Sequence, residues 1–443
     1  MFESIRVRNF RSVEDSGLLR LADLNIIVGP NNSGKSSCLI YPLLMMKQTM
    51  EDPEPGQALI TSGSHIDLGS YLNLIHRHQP DAHLAIRFAV KKSLLPQEVL
   101  RINFAEDSGR RITPPPVCSF SATFHFDRDK NQIVIREFRS LTEKGRTAFA
   151  GTCENAQWRT EGLPADMQEH VQPDLRHFLP VPAPSGKPPK NDKLRRQVLH
   201  LWEAWFVWIS HLAALIGDIR YVTPIREAIP RHALIGTMPS SELGPKGANL
   251  MRIMAEDRAG KGHLLKRLDE WLSNRFKLTG PVSLDFVDEA RTIVSLTAKA
   301  RGNNNVSINL ADMGIGVSQL VPVIVQTVLL PPQGCLLVEQ PEIHLHPGAQ
   351  ADLADLFIDA LGEGRQFIIE THSEHLVLRV RRRIAEGKLD ASRVRIFFVQ
   401  LRAGKTHVRQ LRLDEHGHFP KWPKNFFEEG FEEAMAIAEA QIR

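Results

Sequence analysis

Cysteine is scarce in this chain and never closely paired. Cys38, Cys118, Cys153 and Cys335 are the only four in 443 residues, and no C-x-x-C occurs. That spacing argues against a disulfide-stapled scaffold and against cysteine zinc ligation, and predicts reduced structural thiols in a cytoplasmic protein. No signal-peptide pattern opens the sequence, and no apolar run is expected to span a bilayer. The most apolar helical stretch, Leu199 to Ile216, contains His200, Glu203, Ser210 and His211 and reads as a core helix, so no membrane partner is expected. Sustained heptads and internal repeats are also missing, which argues against a long coiled-coil arm. The net charge of +4 is small for so long a chain; it is compatible with nucleic-acid contact and does not argue for it.

What is present is an ordinary globular composition, 42% apolar and 24% charged, with length for about three structural units. The stretch Gly29-Pro30-Asn31-Asn32-Ser33-Gly34-Lys35-Ser36-Ser37 reads G-x-x-x-x-G-K-S, a phosphate-binding loop. Its setting strengthens it: the apolar, β-branched run Leu24 to Val28 precedes it, and Ser36 through Met46 can continue as a helix, with a kink expected at Pro42. Backbone N–H groups at such a helix start point at an anion. Lys35 would reach the β- and γ-phosphates of ATP, and the Ser36 hydroxyl would bind Mg²⁺.

Residues Phe2 to Phe10 alternate as an edge or antiparallel strand, and residues 82–139 are strand-rich, with a hairpin loop over Asp127 to Asn131. Residues 140–190 are polar and end in Pro180, Pro182, Pro184, Pro188 and Pro189, which reads as an exposed linker. Lys193 to Ile216 reads as a helix whose Trp202, Trp205, Trp208 and Leu212 form a packing face. A second helix is expected from about Gly262 to Phe276, then a hairpin from Val282 to Leu296.

The chemistry resumes at Gly314, Gly316 and Ser318, ahead of an apolar helix. The short strand Cys335 to Val338 then ends in Glu339-Gln340-Pro341-Glu342-Ile343-His344-Leu345-His346-Pro347, and the strand Phe367 to Ile369 ends in Glu370-Thr371-His372-Ser373. Acidic residues at the carboxyl end of an apolar strand downstream of a phosphate loop are the expected metal side of a nucleotide site. Strands alternating with helices imply a largely parallel sheet with the site at the strands' carboxyl ends.

Together the Asn9-Phe10-Arg11-Ser12 element, the phosphate loop, the glycine–serine–glutamine stretch, the Glu-Gln-Pro-Glu-Ile-His-Leu-His-Pro run and Thr-His-Ser resemble an SMC-like ABC ATPase, in the branch of RecF-like and OLD-like prokaryotic ATPases. The resemblance covers residues 1–48 and 306–385. It is weaker around Trp422-Pro423 and Phe426-Phe427, and loose over 50–300, through Asp67-Leu68-Gly69 and Pro224-Ile225-Arg226. It implies an α/β fold: an ATPase head with a mainly parallel core sheet, an antiparallel β lobe and a helical insert. The implied divisions are an N-terminal ATPase lobe over 1–139, a mainly helical insert over 140–300 and a C-terminal ATPase lobe over 301–443. It also implies a homodimer or higher oligomer in which two heads pair head to tail around ATP. Asn31, Asn32, Ser33, Gly34, Lys35, Ser36 and Ser37 would then hold the nucleotide, with Arg11 near it, and Gly314, Gly316 and Ser318 would meet the partner copy's γ-phosphate. Glu339 would hold Mg²⁺ together with Ser36, His372 would sense the γ-phosphate, and His344 and His346 would lie in the D-loop. His65-Ile66-Asp67 is a candidate Q-loop region.

Gln340 stands where that family carries the glutamate that activates water. An amide orients water but takes no proton, and losing a positioned base costs about 10²–10⁴-fold in rate. Slow hydrolysis is expected, or Glu342 stands in. No C-terminal Toprim nuclease domain or HNH-type constellation is evident, so the resemblance implies an effector supplied by a partner chain such as a nuclease, in bacterial DNA metabolism or phage defence. The run Arg379, Arg381, Arg382 and Arg383 reads as a solvated basic face ahead of a DNA or RNA contact. A non-hydrolysing nucleotide sensor or scaffold is the main rival. A transporter subunit is disfavoured by the missing Leu-Ser-Gly-Gly-Gln signature.

Overall fold

The computed structural model describes residues 2–54, 56–91, 117–142, 144–154, 157–235, 242–260 and 262–419; the Trp422-Pro423 and Phe426-Phe427 pairs lie outside them. The central element is a six-stranded sheet in the order Ile219–Val222, Cys335–Glu339, Gln366–Glu370, Leu24–Val28, Val394–Arg402, Lys405–Leu411. Its first five strands run parallel and the last is antiparallel to its neighbour. Leu24–Val28, Cys335–Glu339 and Gln366–Glu370 are buried along their whole length, which is why they read as unbroken apolar runs and not as alternating ones.

Side chains of these strands alternate between two apolar cores. Ile27, Cys335, Leu337 and Ile368 face one, and Leu24, Ile26, Val28, Leu336, Val338 and Ile369 face the other. The first core is closed by helices Ile40–Glu51 and Asp192–Gly217 and by an eight-stranded antiparallel sheet that contains Phe2–Phe10, Leu84–Val90, Val117–Asp127 and Gln132–Thr142. The second is closed by helices Leu250–Ala259, Ile315–Leu329, Pro347–Asp359 and Glu374–Ala385. Among the described residues parallel pairing is confined to the six-stranded sheet, and antiparallel pairing dominates.

Residues 140–300 depart from a mainly helical insert. They hold strands Thr147–Glu154 and Gln157–Glu161, a hairpin of Val171–Arg176 with Leu179–Pro184, and the edge strand Ile219–Val222 of the central sheet itself. The proline cluster is no linker over Pro180 to Pro184. Its prolines oppose Leu175, Pro173 and Val171 at every second position, so one phase of the ladder needs no donor from them, while Val181 is fully buried.

Asp192–Gly217 is long and apolar enough to cross a membrane by length and composition, contrary to the expectation that no run would be. Its Trp205, Trp208 and Leu212 are buried in the first core, so the tryptophan stripe is a packing face. Cys38 and Cys335 are buried free thiols, Cys153 is a half-buried one, and Cys118 is buried.

Candidate functional site: a phosphate loop facing two buried carboxylates

Sheet register builds the site. Glu339 lies directly opposite Glu370, and Glu370 lies opposite Ile27, one residue before the last of the phosphate-loop strand. Two carboxylates and the loop are thus brought to one end of three adjacent parallel strands. After Val28 the chain turns through Gly29 to Gly34 and enters a short helix, Lys35–Cys38. Gly34 has φ +89°, and a Cβ there would stand 2.3 Å from Thr406 Oγ1 and 2.7 Å from Ser12 Oγ, so only glycine fits. The helix breaks at Leu39 (φ −144°, ψ −51°) and restarts at Ile40. Pro42 therefore does not make the kink; it sits in the first turn of the restarted helix, where no intrahelical donor is required of it.

The loop opens onto a cleft of about 820 Å³ lined by Arg11, Ser12, Asn31 to Ser37, Tyr41, Asn73, Ile75 to His78, Glu339, Gln340, Glu370 and Gly404. Lys35 Nζ donates to the carbonyl oxygens of Gly29 (3.2 Å) and Pro30 (2.9 Å) and stands 3.9 Å from Glu370 Oε1. The Ser36 hydroxyl lies 2.6 Å from Glu370 Oε2 and 3.2 Å from Glu339 Oε2. Tyr221 Oη donates to Glu339 Oε1 at 2.5 Å.

Burial dominates the electrostatics. It raises Glu339, and it pushes Glu370 up to about 7 with help from the neighbouring Glu339 charge. Burial also lowers Lys35, although the surrounding carboxylates partly offset this. Arg226, 3% exposed, donates from Nη2 to the carbonyl oxygens of Glu339 (2.9 Å) and Gln340 (3.1 Å) and from Nη1 to that of Gln319 (3.4 Å). It thereby clamps the turn after the acidic strand. Gln340 takes φ +46°, and its backbone N–H donates to Glu370 O at 2.7 Å.

Several expected site residues lie away from the cleft. Glu342 does not line it; its Oε1 accepts the backbone N–H of His372 at 2.6 Å, and burial raises its pKa. His372 is also outside the lining and is exposed, with partial desolvation and Lys35 holding its pKa low. Gly314, Gly316 and Ser318 form the start of helix Ile315–Leu329, and none of them lines the cleft. Gly316 adjoins the turn after the acidic strand instead: a Cβ on it would stand 2.6 Å from His344 O.

His346 caps helix Pro347–Asp359, and no group of three or more potential His, Cys, Asp or Glu metal ligands occurs among the described residues. His65 contacts Glu51, so the candidate Q-loop region does not reach the cleft, whereas Asn73 and Ile75 to His78 do. The arginine run is committed to its own chain. Arg379 and Arg383 pair with Asp355, Arg382 with Glu386, and Arg381 donates to Gly417 O.

Sequence reasoning missed Tyr221, Arg226 and His76 at this site. Glu370 carried a readable signal, an acid ending an apolar strand. A hydroxyl between two carboxylate oxygens is an all-oxygen set that suits a hard divalent cation, so Ser36, Glu339 and Glu370 fit Mg²⁺.

The family described as AAA ATPase domain matches residues 1–93 and 256–377, the two segments that supply the phosphate loop and the carboxylate strands. A family of unknown function, DUF3696, matches residues 389–437. No curated protein matches the chain. Similar solved structures include an SMC head bound to the C-terminal winged-helix domain of ScpA (14% identity, TM-score 0.40, covering 94% of this chain and 98% of that one). The SMC head domain from Thermotoga maritima overlaps at 12% identity and TM-score 0.38, over 93% of this chain and 99% of that one. A Smc head with an extended coiled coil, bound to the C-terminal domain of ScpA from Pyrococcus furiosus, overlaps at 13% and 0.39, over 100% and 99%. The match to the AAA ATPase domain supports a P-loop ATPase domain and implies nucleotide binding and ATPase activity.

Proposed function

We propose that the chain binds ATP with Mg²⁺ in the cleft over Lys35 and hydrolyses it slowly, and that two copies pair head to tail around the nucleotide to control a partner effector. The observation that carries this is the placement of the Ser36 hydroxyl between Glu339 and Glu370, beside the buried Lys35. Lys35 exchanges its carbonyl partners for phosphate oxygens, and backbone N–H groups of Asn32 to Ser37 cradle them. Ser36, Glu339 and Glu370 hold Mg²⁺, which when bound neutralises charge developing on the β- and γ-phosphoryl oxygens. Gly314 is exposed at the helix start, with half-buried Gly316 and buried Ser318 behind it; all three lie outside the lining of their own cleft and serve the partner copy's γ-phosphate. Such a composite site couples nucleotide state to assembly, and an effector such as a nuclease, or a DNA or RNA transaction in phage defence, would read that state.

Phosphate release and sedimentation velocity test this together. With MgATP the protein sediments as a heavier species than without it, and Ile315→Arg, at the exposed residue of that helix start, abolishes that change while leaving ATP affinity intact. An unchanged sedimentation coefficient with and without MgATP would contradict nucleotide-driven pairing. The second reading, a sensor that binds ATP without hydrolysing it, is favoured by Gln340 alone; Lys35-dependent phosphate release separates the two.

A further inference from the structure

We propose that His76 is the proton acceptor for the water that attacks the γ-phosphorus, doing what Gln340 cannot. This rests on the ATPase reading above. His76 lines the cleft and is 6% exposed. Its Nδ1 lies 2.6 Å from the carbonyl oxygen of Arg11. A carbonyl only accepts, so Nδ1 carries the hydrogen, and in the neutral form of such a ring the lone pair lies on Nε2. That Nε2 is buried without a hydrogen-bond partner. The backbone fixes the arrangement: Arg11 N donates to Leu74 O at 2.7 Å, Phe10 bridges Ile75, and Arg11 (φ +51°) and Arg77 (φ +56°) both adopt the left-handed conformation.

The other acceptors in the cleft are engaged or unsuitable. Glu339 accepts from Tyr221 and Ser36, and Glu370 accepts from Ser36 and faces Lys35. Gln340 is an amide, and Glu342 lies outside the lining. The wall that carries His76 also meets the metal side of the site. The Arg11 guanidinium stands 5.6 Å over the Tyr41 ring, and Tyr41 lines the same cleft as Ser36. His78 has the same Nδ1-to-carbonyl contact, with Leu72 O, but is exposed, where bulk water satisfies its Nε2.

In the proposed step a water O–H bond breaks and its proton passes to His76 Nε2. The water oxygen bonds to the γ-phosphorus as the bond to the β-phosphate bridging oxygen breaks, and that electron pair leaves with ADP. The imidazolium, still donating from Nδ1 to Arg11 O, returns its proton to released phosphate or solvent.

The test is ATP binding and single-turnover hydrolysis in His76→Asn and His76→Ala, beside Lys35→Ala. Asparagine retains an N–H for the Arg11 carbonyl and deletes the distal nitrogen. The expected result is ATP affinity within about threefold of wild type with turnover reduced by about 10²-fold or more, and partial restoration of His76→Ala by free imidazole. Wild-type turnover in His76→Asn, loss of affinity together with turnover, or absence of imidazole rescue would each overturn the assignment. Failure of the wild type to bind ATP in a Lys35-dependent way would instead overturn the underlying ATPase reading.

Discussion

Ser36 and Glu370 stand 334 residues apart in the chain, yet hydroxyl and carboxylate meet at 2.6 Å. The register of three parallel strands makes the contact, and it joins the two segments that match the AAA ATPase domain. A carboxylate so placed has a consequence for metal dependence. Glu370→Gln keeps the shape and removes the charge, and it should weaken the apparent Mg²⁺ affinity of ATP turnover by about 10–100-fold, the range for groups that support a metal site. A Mg²⁺ titration of phosphate release measures this, and chelation with EDTA should abolish release in both proteins.

Gln340 follows Glu339 at φ +46° and lines the cleft. Gln340→Glu should raise turnover by about tenfold or more, because it adds a second proton acceptor. In that background His76→Asn should cost less than it does alone. Steady-state phosphate release in the four proteins gives the coupling directly.

Arg226 is the strongest candidate for a stability defect beside the site. Burial lowers its pKa to about 10, and its hydrogen bonds are spread over three carbonyl oxygens. Arg226→Ala leaves those acceptors buried and unpaired, which should cost at least about 3 kcal/mol in urea unfolding. Arg226→Lys should recover only part, because one ammonium cannot span the same acceptors as a planar guanidinium.

Asp355 predicts a pH dependence of stability. Burial pushes its carboxyl up, but the Arg383 and Arg379 guanidinium groups outweigh burial and hold it below its ordinary value. A depressed carboxylate stabilises the fold above its unfolded pKa, near about 3.9, and loses that contribution as pH falls through the folded value. The stability gap between wild type and Asp355→Asn should therefore be full at pH ~7 and shrink below about pH 4 in urea unfolding. Because these arginines are spent on helix packing, Arg379→Ala and Arg383→Ala should lower Tm without changing the salt slope of any nucleic-acid binding.

Local spacing made the phosphate loop legible, along with the carboxylate strand ends and the tryptophan face of Asp192–Gly217. Each of these is written within one element. Tyr221, Arg226 and His76 were not legible as site residues, because their roles come from partners over a hundred residues away or, for His76, from a backbone carbonyl 65 residues earlier. The proline-rich hairpin reads as a linker because prolines usually break strands, but Pro180, Pro182 and Pro184 alternate and so remove donors at one phase only, which a strand can spare. Ile219–Val222 was missed as a sheet edge because four residues after a long helix carry too little periodicity to register.

The central claim is that Lys35, Ser36 and the paired carboxylates form one MgATP site. Isothermal titration of ATP into wild type and Lys35→Ala, with and without Mg²⁺, tests it most directly. Saturable, Mg²⁺-strengthened binding to the wild type that Lys35→Ala weakens by about 100-fold or more, near 2.7 kcal/mol, is the predicted result. Equal binding to both proteins, or none to the wild type, would contradict it.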